Sequence, residues 1–285
     1  MASKVLSWPN GKRMAVAVTV MFETWSEGKA PTYSVQATSL KPGTVDLGGK
    51  AWSTYGGRVG VWRIIRTLDR WQMPGTFGVN AQCAELYPEA VAQIVRSGHD
   101  IAAHGYTHDQ LLAYMSPEEE HATIRRCIDL LGEKSGQRPA GWLSPVLAFT
   151  PRTVEFLAQE KLEWHGDVTY TDLPHVVHTA HGPIAAVPNS DFSDNRVLRS
   201  SPRDLYDVYK GTFDYLYEHE PMGLLVLTLH CHFGGRPMII AAFDELMKYI
   251  AGRQDVWFVR HRELGRWALN ASEESTYASR FFPRT

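Results

Sequence analysis

The sequence predicts a single α/β domain with a mostly parallel sheet that closes towards a barrel. Short apolar runs alternate with segments of helical periodicity along most of the 285 residues. Seven or eight strands alternating with helices predict a parallel sheet, and that many units favour a barrel over an open sheet. Polar residues that follow the strands should therefore meet at the carboxyl ends of the strands, where parallel barrels place their chemistry.

The first predicted strand is an almost continuous apolar run from Met14 to Phe22, as a parallel strand covered on both faces requires. It ends at Glu23, for which an ordinary strand-end charge and a functional carboxylate are both open interpretations. The polar stretch 24–54 follows, with six glycines and prolines and no clear period. Connections of this length are often lids or binding loops, so we expect this one to face a substrate.

The rest of the chain repeats the alternation of helix and strand. The predicted helices cover residues 64–71, 88–97, 116–135, 150–160, 201–218 and 237–252, and the predicted strands cover residues 75–80, 99–104, 140–144, 162–165, 182–188, 223–229 and 256–259. Gly98 is placed for a left-handed helix cap. Ser116–Glu119 forms a capping box with proline at the first helical position, which predicts a helix start.

Composition excludes several classes of protein. The hydrophobic fraction of 44% and charged fraction of 21% are ordinary, and a formal net charge of -2 gives no attraction to nucleic acid or to an anionic membrane. Three cysteines without C-x-x-C spacing favour a reducing compartment. The N-terminus lacks an apolar signal core, and no apolar run reaches the roughly 18 residues of a membrane span. We therefore expect a cytoplasmic protein without nucleic-acid or membrane partners.

His104 and His108 lie four residues apart at the end of a predicted strand. Two unrelated histidines would be the simplest interpretation. Neutral imidazole, however, is the commonest protein ligand for zinc, and the junction of strand and loop is where α/β proteins place their chemistry. We therefore interpret the pair as half of a metal site.

Further candidates follow other predicted strands. Glu23 follows the first strand, and His230 and His232 follow the most apolar strand of the chain. Two histidines and one carboxylate match the protein ligands of a catalytic zinc, which keeps a position for water and lowers the pKa of that water to about 7. This set of residues predicts hydrolysis of an acyl bond.

Four segments resemble the successive motifs of the polysaccharide deacetylase (NodB-homology) superfamily. They are the first strand with its acidic end, His104–His108, Gly141–Pro145 and Leu227–His230, and the resemblance spans roughly residues 14–267. It implies an irregular (β/α)7 barrel, zinc or another divalent metal held by His104, His108 and an acidic residue, and His230 as the general acid.

The first motif departs from the family pattern. The family usually has two adjacent aspartates there, one a base and one a metal ligand, whereas this chain has Phe22-Glu23-Thr24-Trp25. The single carboxylate, Glu23, is therefore either a ligand or the catalytic base. We favour the ligand.

Two segments are similar to a small-molecule branch of the superfamily. Tyr55–Arg63 and Phe77–Asn80 resemble stretches of cofactor-free bacterial allantoinases and of cyclic imide hydrolases, which open a ring at an amide-type C–N bond. The metal-free allantoinases lack the second histidine of the pair, whereas this chain has His108. The resemblance thus implies a metal-bearing hydrolase of a small cyclic amide or imide. The alternatives are an N-deacetylase of an amino sugar or of a peptidoglycan- or chitin-type substrate, and a non-catalytic binding module.

Six residues are candidates for binding the substrate: Tyr55, Arg58, Trp62, Trp142, Pro145 and His232. The aromatic members, together with Trp25, would wall a flat pocket for a planar ring, although some of these rings must belong to the core. Arg58 would contact a substrate carbonyl or begin a helix. His232 would support a ligand, act as a further ligand or face solvent. The aromatic tail Tyr277–Pro283 predicts an exposed apolar segment and a homo-oligomer, the alternative being that it packs on its own domain.

Overall fold

The computed structural model describes residues 6–36, 40–41, 43–271 and 277–281, which form a curled, half-barrel sheet with helices packed against it. The strands in the described residues are β1 (Met14–Phe22), β2 (Gly75–Val79), β3 (Asp100–Ala103), β4 (Gly141–Trp142), β5 (Trp164–His165), β6 (His175–Thr179), β7 (Gly182–Ala186), β8 (Gly223–His230) and β9 (Val256–Val259). The helices are α1 (Leu47–Tyr55), α2 (Val61–Arg70), α3 (Ala81–Leu86), α4 (Pro88–Arg96), α5 (Pro117–Ser135), α6 (Thr153–Gln159), α7 (Arg203–His219), α8 (Pro237–Ala251), α9 (His261–Asn270) and α10 (Tyr277–Phe281). The predicted α/β barrel class is confirmed.

The strand order is β6-β7-β5-β4-β3-β2-β1-β8, and β9 also pairs with β1. Neighbouring strands run parallel except for the β6–β7 pair, which is antiparallel. Phe22 at the end of β1 pairs with Val79, which pairs in turn with Ala103 at the end of β3. On the other side of β1, Met21 pairs with His230. The residues that follow β1 and β3 therefore lie beside the end of β8.

Local sequence signals explain most of the boundaries. All nine residues of β1 and all eight of β8 are buried, as their nearly continuous apolar sequences predict. The capping box is present at the start of α5, where the Ser116 hydroxyl accepts from the amide of Glu119 and the Glu119 side chain accepts from the amide of Ser116. Gly98 has a left-handed φ of 79° after α4, as predicted.

The long predicted loop is shorter than expected because its last part is the helix α1. Asp46 caps this helix by accepting from the amide of Gly49 at 2.8 Å. A Cβ on Gly49 would lie 2.6 Å from the Asp46 carboxylate and 2.9 Å from the Cβ of Ala30, so glycine serves packing here rather than a turn. A π-helical turn at Gly56–Gly60 joins α1 to α2, so residues 47–70 form one continuous helical segment.

Three further elements were not predicted, namely the short helix α3, the edge strand β6 and the helix α9.

In the predicted tail, Tyr277–Phe281 forms a helix whose Tyr277 hydroxyl donates to Glu220 at 3.2 Å, and residues 282–283 lie outside the described part. The predicted oligomer remains a prediction. Among the helices of the described chain, none is long and apolar enough to cross a membrane.

Candidate active site

Glu23, His104 and His108 come together at the carboxyl ends of β1 and β3. The Oε1 atom of Glu23 lies 3.4 Å from Nε2 of His104 and 3.1 Å from Nδ1 of His108. One donor atom from each of the three residues lies within 4.8 Å of the other two. Glu23 and His104 are buried, and His108 is partly buried. The arrangement therefore presents two imidazoles and one carboxylate to a common point.

These three residues fit a divalent metal ion. Nδ1 of His104 lies 2.7 Å from the carbonyl oxygen of Leu143, a contact that requires Nδ1 to donate and leaves Nε2 with a free lone pair. Nδ1 of His108 and Oε2 of Glu23 are buried without a hydrogen-bond partner among the described residues. Buried polar atoms without partners are costly, and a cation between them would remove that cost. The donor set is the one that zinc takes in catalytic sites.

Burial would by itself raise the pKa of Glu23, but the neighbouring His108 and His230 outweigh it and hold that pKa well below its usual value. Glu23 is therefore a carboxylate at neutral pH. Ligation and base catalysis both require this charged form, so its charge alone does not separate the two roles.

Asn80, which follows β2, ties the ends of β1 and β3 together. Its side-chain oxygen accepts from the amide of Thr24 at 2.9 Å, and its amide nitrogen donates to the carbonyl oxygen of His104. The amide of His108 then donates to the carbonyl oxygen of Thr24 at 2.8 Å. Asn80 thus fixes the backbone on both sides of the histidine pair. Asn80 was not predicted to have this role.

His230, the last residue of β8, is held by Asp194. Nδ1 of His230 lies 2.6 Å from Oδ1 of Asp194, and the amide of His230 donates to Oδ2 of the same carboxylate at 2.7 Å. Nε2 of His230 lies 3.8 Å from Oε1 of Glu23. Burial alone would lower the pKa of His230, but Asp194 and Glu23 raise it to about 9. The imidazole is therefore protonated at neutral pH, as a general acid must be.

His232 is fully buried, which excludes the interpretation that it faces solvent. Its Nε2 atom lies 2.9 Å from the hydroxyl oxygen of Tyr33, and its Nδ1 atom lies 3.8 Å from Oε2 of Glu23. Burial lowers the pKa of His232 to about 3, so the ring is neutral. His232 packs behind Glu23 and does not line the cleft.

A cleft of about 1000 Å³ opens above these residues. One part of its lining is apolar and includes Trp25, Tyr33, Leu111, Leu143, Val146 and Leu147. Another part is polar and includes Asn189, Ser190, Asn195 and Arg196. Much of the segment after β1, from Gly28 to Tyr33, also lines the cleft, while the expectation that this loop faces a substrate stays a prediction.

All six residues predicted to bind the substrate lie outside the cleft lining, and His232 has been described above. Trp142 is fully buried and its indole nitrogen donates to the hydroxyl of Ser144 at 2.9 Å, so it belongs to the core. Pro145 is buried against Gly105, where a Cβ would lie 2.8 Å from the proline ring. The other three are Tyr55 and Arg58, which line a separate surface hollow, and Trp62, which is exposed on α2. The continuous helical segment 47–70 turns these three side chains away from the cleft.

Ser144 and Asp167 form a buried pair at the edge of the cleft. The amide and the hydroxyl of Ser144 donate to the two carboxylate oxygens of Asp167 at 2.7 and 2.6 Å. Burial raises the pKa of Asp167 to about 6, against the opposing effect of these two hydrogen bonds. Ser144 lines the cleft, so this pair fixes one wall of the site.

Fold and site together define an α/β barrel-like protein with a two-histidine, one-carboxylate site at the carboxyl ends of its strands. The polysaccharide deacetylase family matches residues 46–164. A peptidoglycan deacetylase from Helicobacter pylori is 20% identical over 246 residues, which cover 74% of this chain and 84% of that protein.

Two solved structures are similar over nearly their whole length. A probable polysaccharide deacetylase from Pseudomonas aeruginosa is 28% identical, with a TM-score of 0.80 over 91% of this chain and 92% of that one. The PuuE allantoinase is 26% identical, with a TM-score of 0.84 over 96% of both chains. The fold, the site and these similarities fit the polysaccharide deacetylase (NodB-homology) superfamily that the sequence motifs resemble. The similarities support a hydrolase of the NodB fold, and Glu23, His104 and His108 form a possible site for a divalent metal.

Proposed function

We propose that the protein is a metal-dependent hydrolase that opens a C–N bond in a small cyclic amide or imide. One arrangement supports the proposal most directly. Glu23 and its two histidines face the His230–Asp194 pair, with 3.8 Å between Oε1 of Glu23 and Nε2 of His230. The similarity to the PuuE allantoinase over 96% of both chains supports a ring as substrate.

Glu23, His104 and His108 would hold the divalent ion, and zinc suits this donor set. Bound there, the metal would polarise the substrate carbonyl and lower the pKa of a water molecule. Asp194 holds Nδ1 of His230, so the proton on Nε2 is directed towards the site. His230 donates that proton to the leaving nitrogen when the C–N bond breaks, a role that typically contributes about 100- to 10,000-fold to the rate.

A second candidate function is removal of an N-acetyl group from an amino sugar or from a peptidoglycan- or chitin-type substrate. The family match and the relative described as a peptidoglycan deacetylase support this function as much as the allantoinase supports the first. Both reactions break an acyl C–N bond, so the same metal ligands and the same acid serve either one. The third candidate, a non-catalytic binding module, would need none of the proton chemistry of His230.

One competition assay separates the candidates. Purified protein with zinc is given succinimide, glutarimide, hydantoin, allantoin and an N-acetylated chitooligosaccharide, and the products are read by mass spectrometry. We expect the cyclic compounds to gain one water while the sugar is unchanged. Loss of acetyl groups from the sugar, with the rings intact, would show that the protein is a deacetylase and not a ring-opening hydrolase. Unchanged substrates together with no stoichiometric metal would favour the binding module.

A further inference from the structure

The polar part of the cleft contains an arginine without a carboxylate partner among the described residues. Arg196 lines the cleft, is exposed, and lies on the short 3₁₀ turn Asp194–Val197. The other cation of the lining, Lys29, is paired with Asp109 at 3.1 Å. Among the described residues that line the cleft, and leaving the histidines aside, Arg196 is thus the one cation that has no acidic partner. Its charge is available to a ligand.

The carboxylates that line the cleft are already engaged. Asp46 caps α1 through the amide of Gly49, and Asp109 accepts from the amide of Ser26 at 2.8 Å as well as from Lys29. Glu23 faces the histidines at the floor. Each of these acids is held by its own contacts, so none of them is available to neutralise Arg196.

Arg196 also lies close to the site of reaction. It follows Asp194, the partner of His230, by two residues, and both Arg196 and His230 line the cleft. A substrate group that binds Arg196 would therefore lie beside the imidazole that protonates the leaving nitrogen. Such a contact would orient the scissile bond as well as add affinity.

The neighbouring Asn195 supplies a second donor. Its side-chain oxygen accepts from the hydroxyl of Ser193 at 2.6 Å, which leaves its amide nitrogen as the free end of the group. Asn195 lines the cleft together with Arg196. A guanidinium and an amide nitrogen offer donors only, and a planar carboxylate is the ligand that suits them.

We propose that the substrate carries a carboxylate, which binds Arg196 and Asn195 and thereby places the ring over Glu23, His104 and His108. This inference rests on the proposed ring-opening function and specifies its substrate class as an anionic cyclic amide. It identifies Arg196 as the residue that distinguishes acidic from neutral rings.

The test compares hydantoin-5-acetate with its neutral isostere hydantoin-5-acetamide. Zinc-loaded wild type, Arg196→Gln and Arg196→Lys are titrated with each compound by calorimetry, and ring opening is followed by mass spectrometry. Arg199→Gln is the matched control, because Arg199 is exposed on the same segment but outside the cleft lining. We expect the wild type to bind the acetate about 10- to 100-fold more tightly than the acetamide, as loss of a charge-assisted contact implies.

Arg196→Gln should remove that preference by weakening binding of the acetate much more than binding of the acetamide, Arg196→Lys should keep part of it, and Arg199→Gln should keep all of it. Equal binding of both compounds to the wild type, or an undiminished preference in Arg196→Gln, overturns the anion site whether or not the rings open. If the preference depends on Arg196 but neither ring is opened, the anion site stands and the proposed ring-opening reaction fails.

Discussion

Asp194 contacts His230 through both of its carboxylate oxygens, one 2.6 Å from the ring Nδ1 and the other 2.7 Å from the backbone amide. The two contacts fix both the position of the residue and the orientation of its ring. Since Nδ1 is occupied, the proton that faces Glu23 is the one on Nε2. Asp194 therefore determines which proton of His230 the site can deliver. Together with Glu23 it raises the pKa of His230 to about 9, so the ring keeps that proton at neutral pH.

Replacing Asp194 by asparagine should lower the pKa of His230, because the charge that raises it most is removed. The alkaline limb of the pH profile of kcat/KM should move to lower pH, and kcat/KM at pH 8 should fall by about 100-fold. Asp191→Asn, at an exposed position on the same segment, serves as the control. A variant with reduced activity but an unshifted alkaline limb would show that Asp194 acts only on structure.

His108→Ala should abolish metal binding and activity without unfolding the protein. His108 lies in the loop that follows β3, and its loss leaves the apolar core intact. Metal content is measured by mass spectrometry after dialysis, and unfolding is followed by circular dichroism. His219→Ala, at an exposed histidine, should keep both metal and activity. A His108→Ala protein that retains stoichiometric metal would show that Glu23 and His104 do not need the second histidine.

The fold and the core of the site were predictable because their signals are local. The apolar runs of β1 and β8 and the H-x-x-x-H spacing can each be recognised in one window of sequence, and parallel pairing then brings their ends together. Asp194 carries no such signal, because it lies six residues beyond the predicted strand 182–188 and not directly at its end. A single bridge between Ser193 and Thr228 brings it to His230, 36 residues further along the chain.

The candidates for substrate binding lie outside the cleft lining for a related reason. Aromatic and arginine residues near Tyr55 were expected in the cleft, but residues 47–70 form one helical segment whose orientation depends on contacts distant in sequence. Periodicity indicates that a helix forms and not which neighbour each face meets. Gly60 shows one such distant contact, since it packs directly on the backbone of Cys231.

Gly60→Ala should destabilise the protein by about 1–3 kcal/mol, the usual cost of inserting an extra methyl group into a packed region. The added Cβ would lie 1.8 Å from the carbonyl oxygen of Cys231, on the turn between His230 and His232. Gly211→Ala is the matched control, because the new methyl group would meet nothing within 4 Å on the exposed face of α7. That change should stabilise by about 0.4–1 kcal/mol. Urea unfolding measures both, and equal effects would contradict the close contact at Gly60.

Asp167 should make stability depend on pH between about 4 and 6. Burial raises its pKa to about 6, so the folded protein binds the proton more tightly than the unfolded chain does. The resulting stabilisation is fully present below the unfolded pKa of about 3.9 and is lost as pH rises through 6. The free energy of unfolding of the wild type, relative to that of Asp167→Asn, should therefore increase by up to about 3 kcal/mol from pH 7 to pH 4. Asparagine does not titrate, so urea unfolding of both proteins across this range isolates the carboxyl group, and a constant difference would mean that Asp167 has an ordinary pKa.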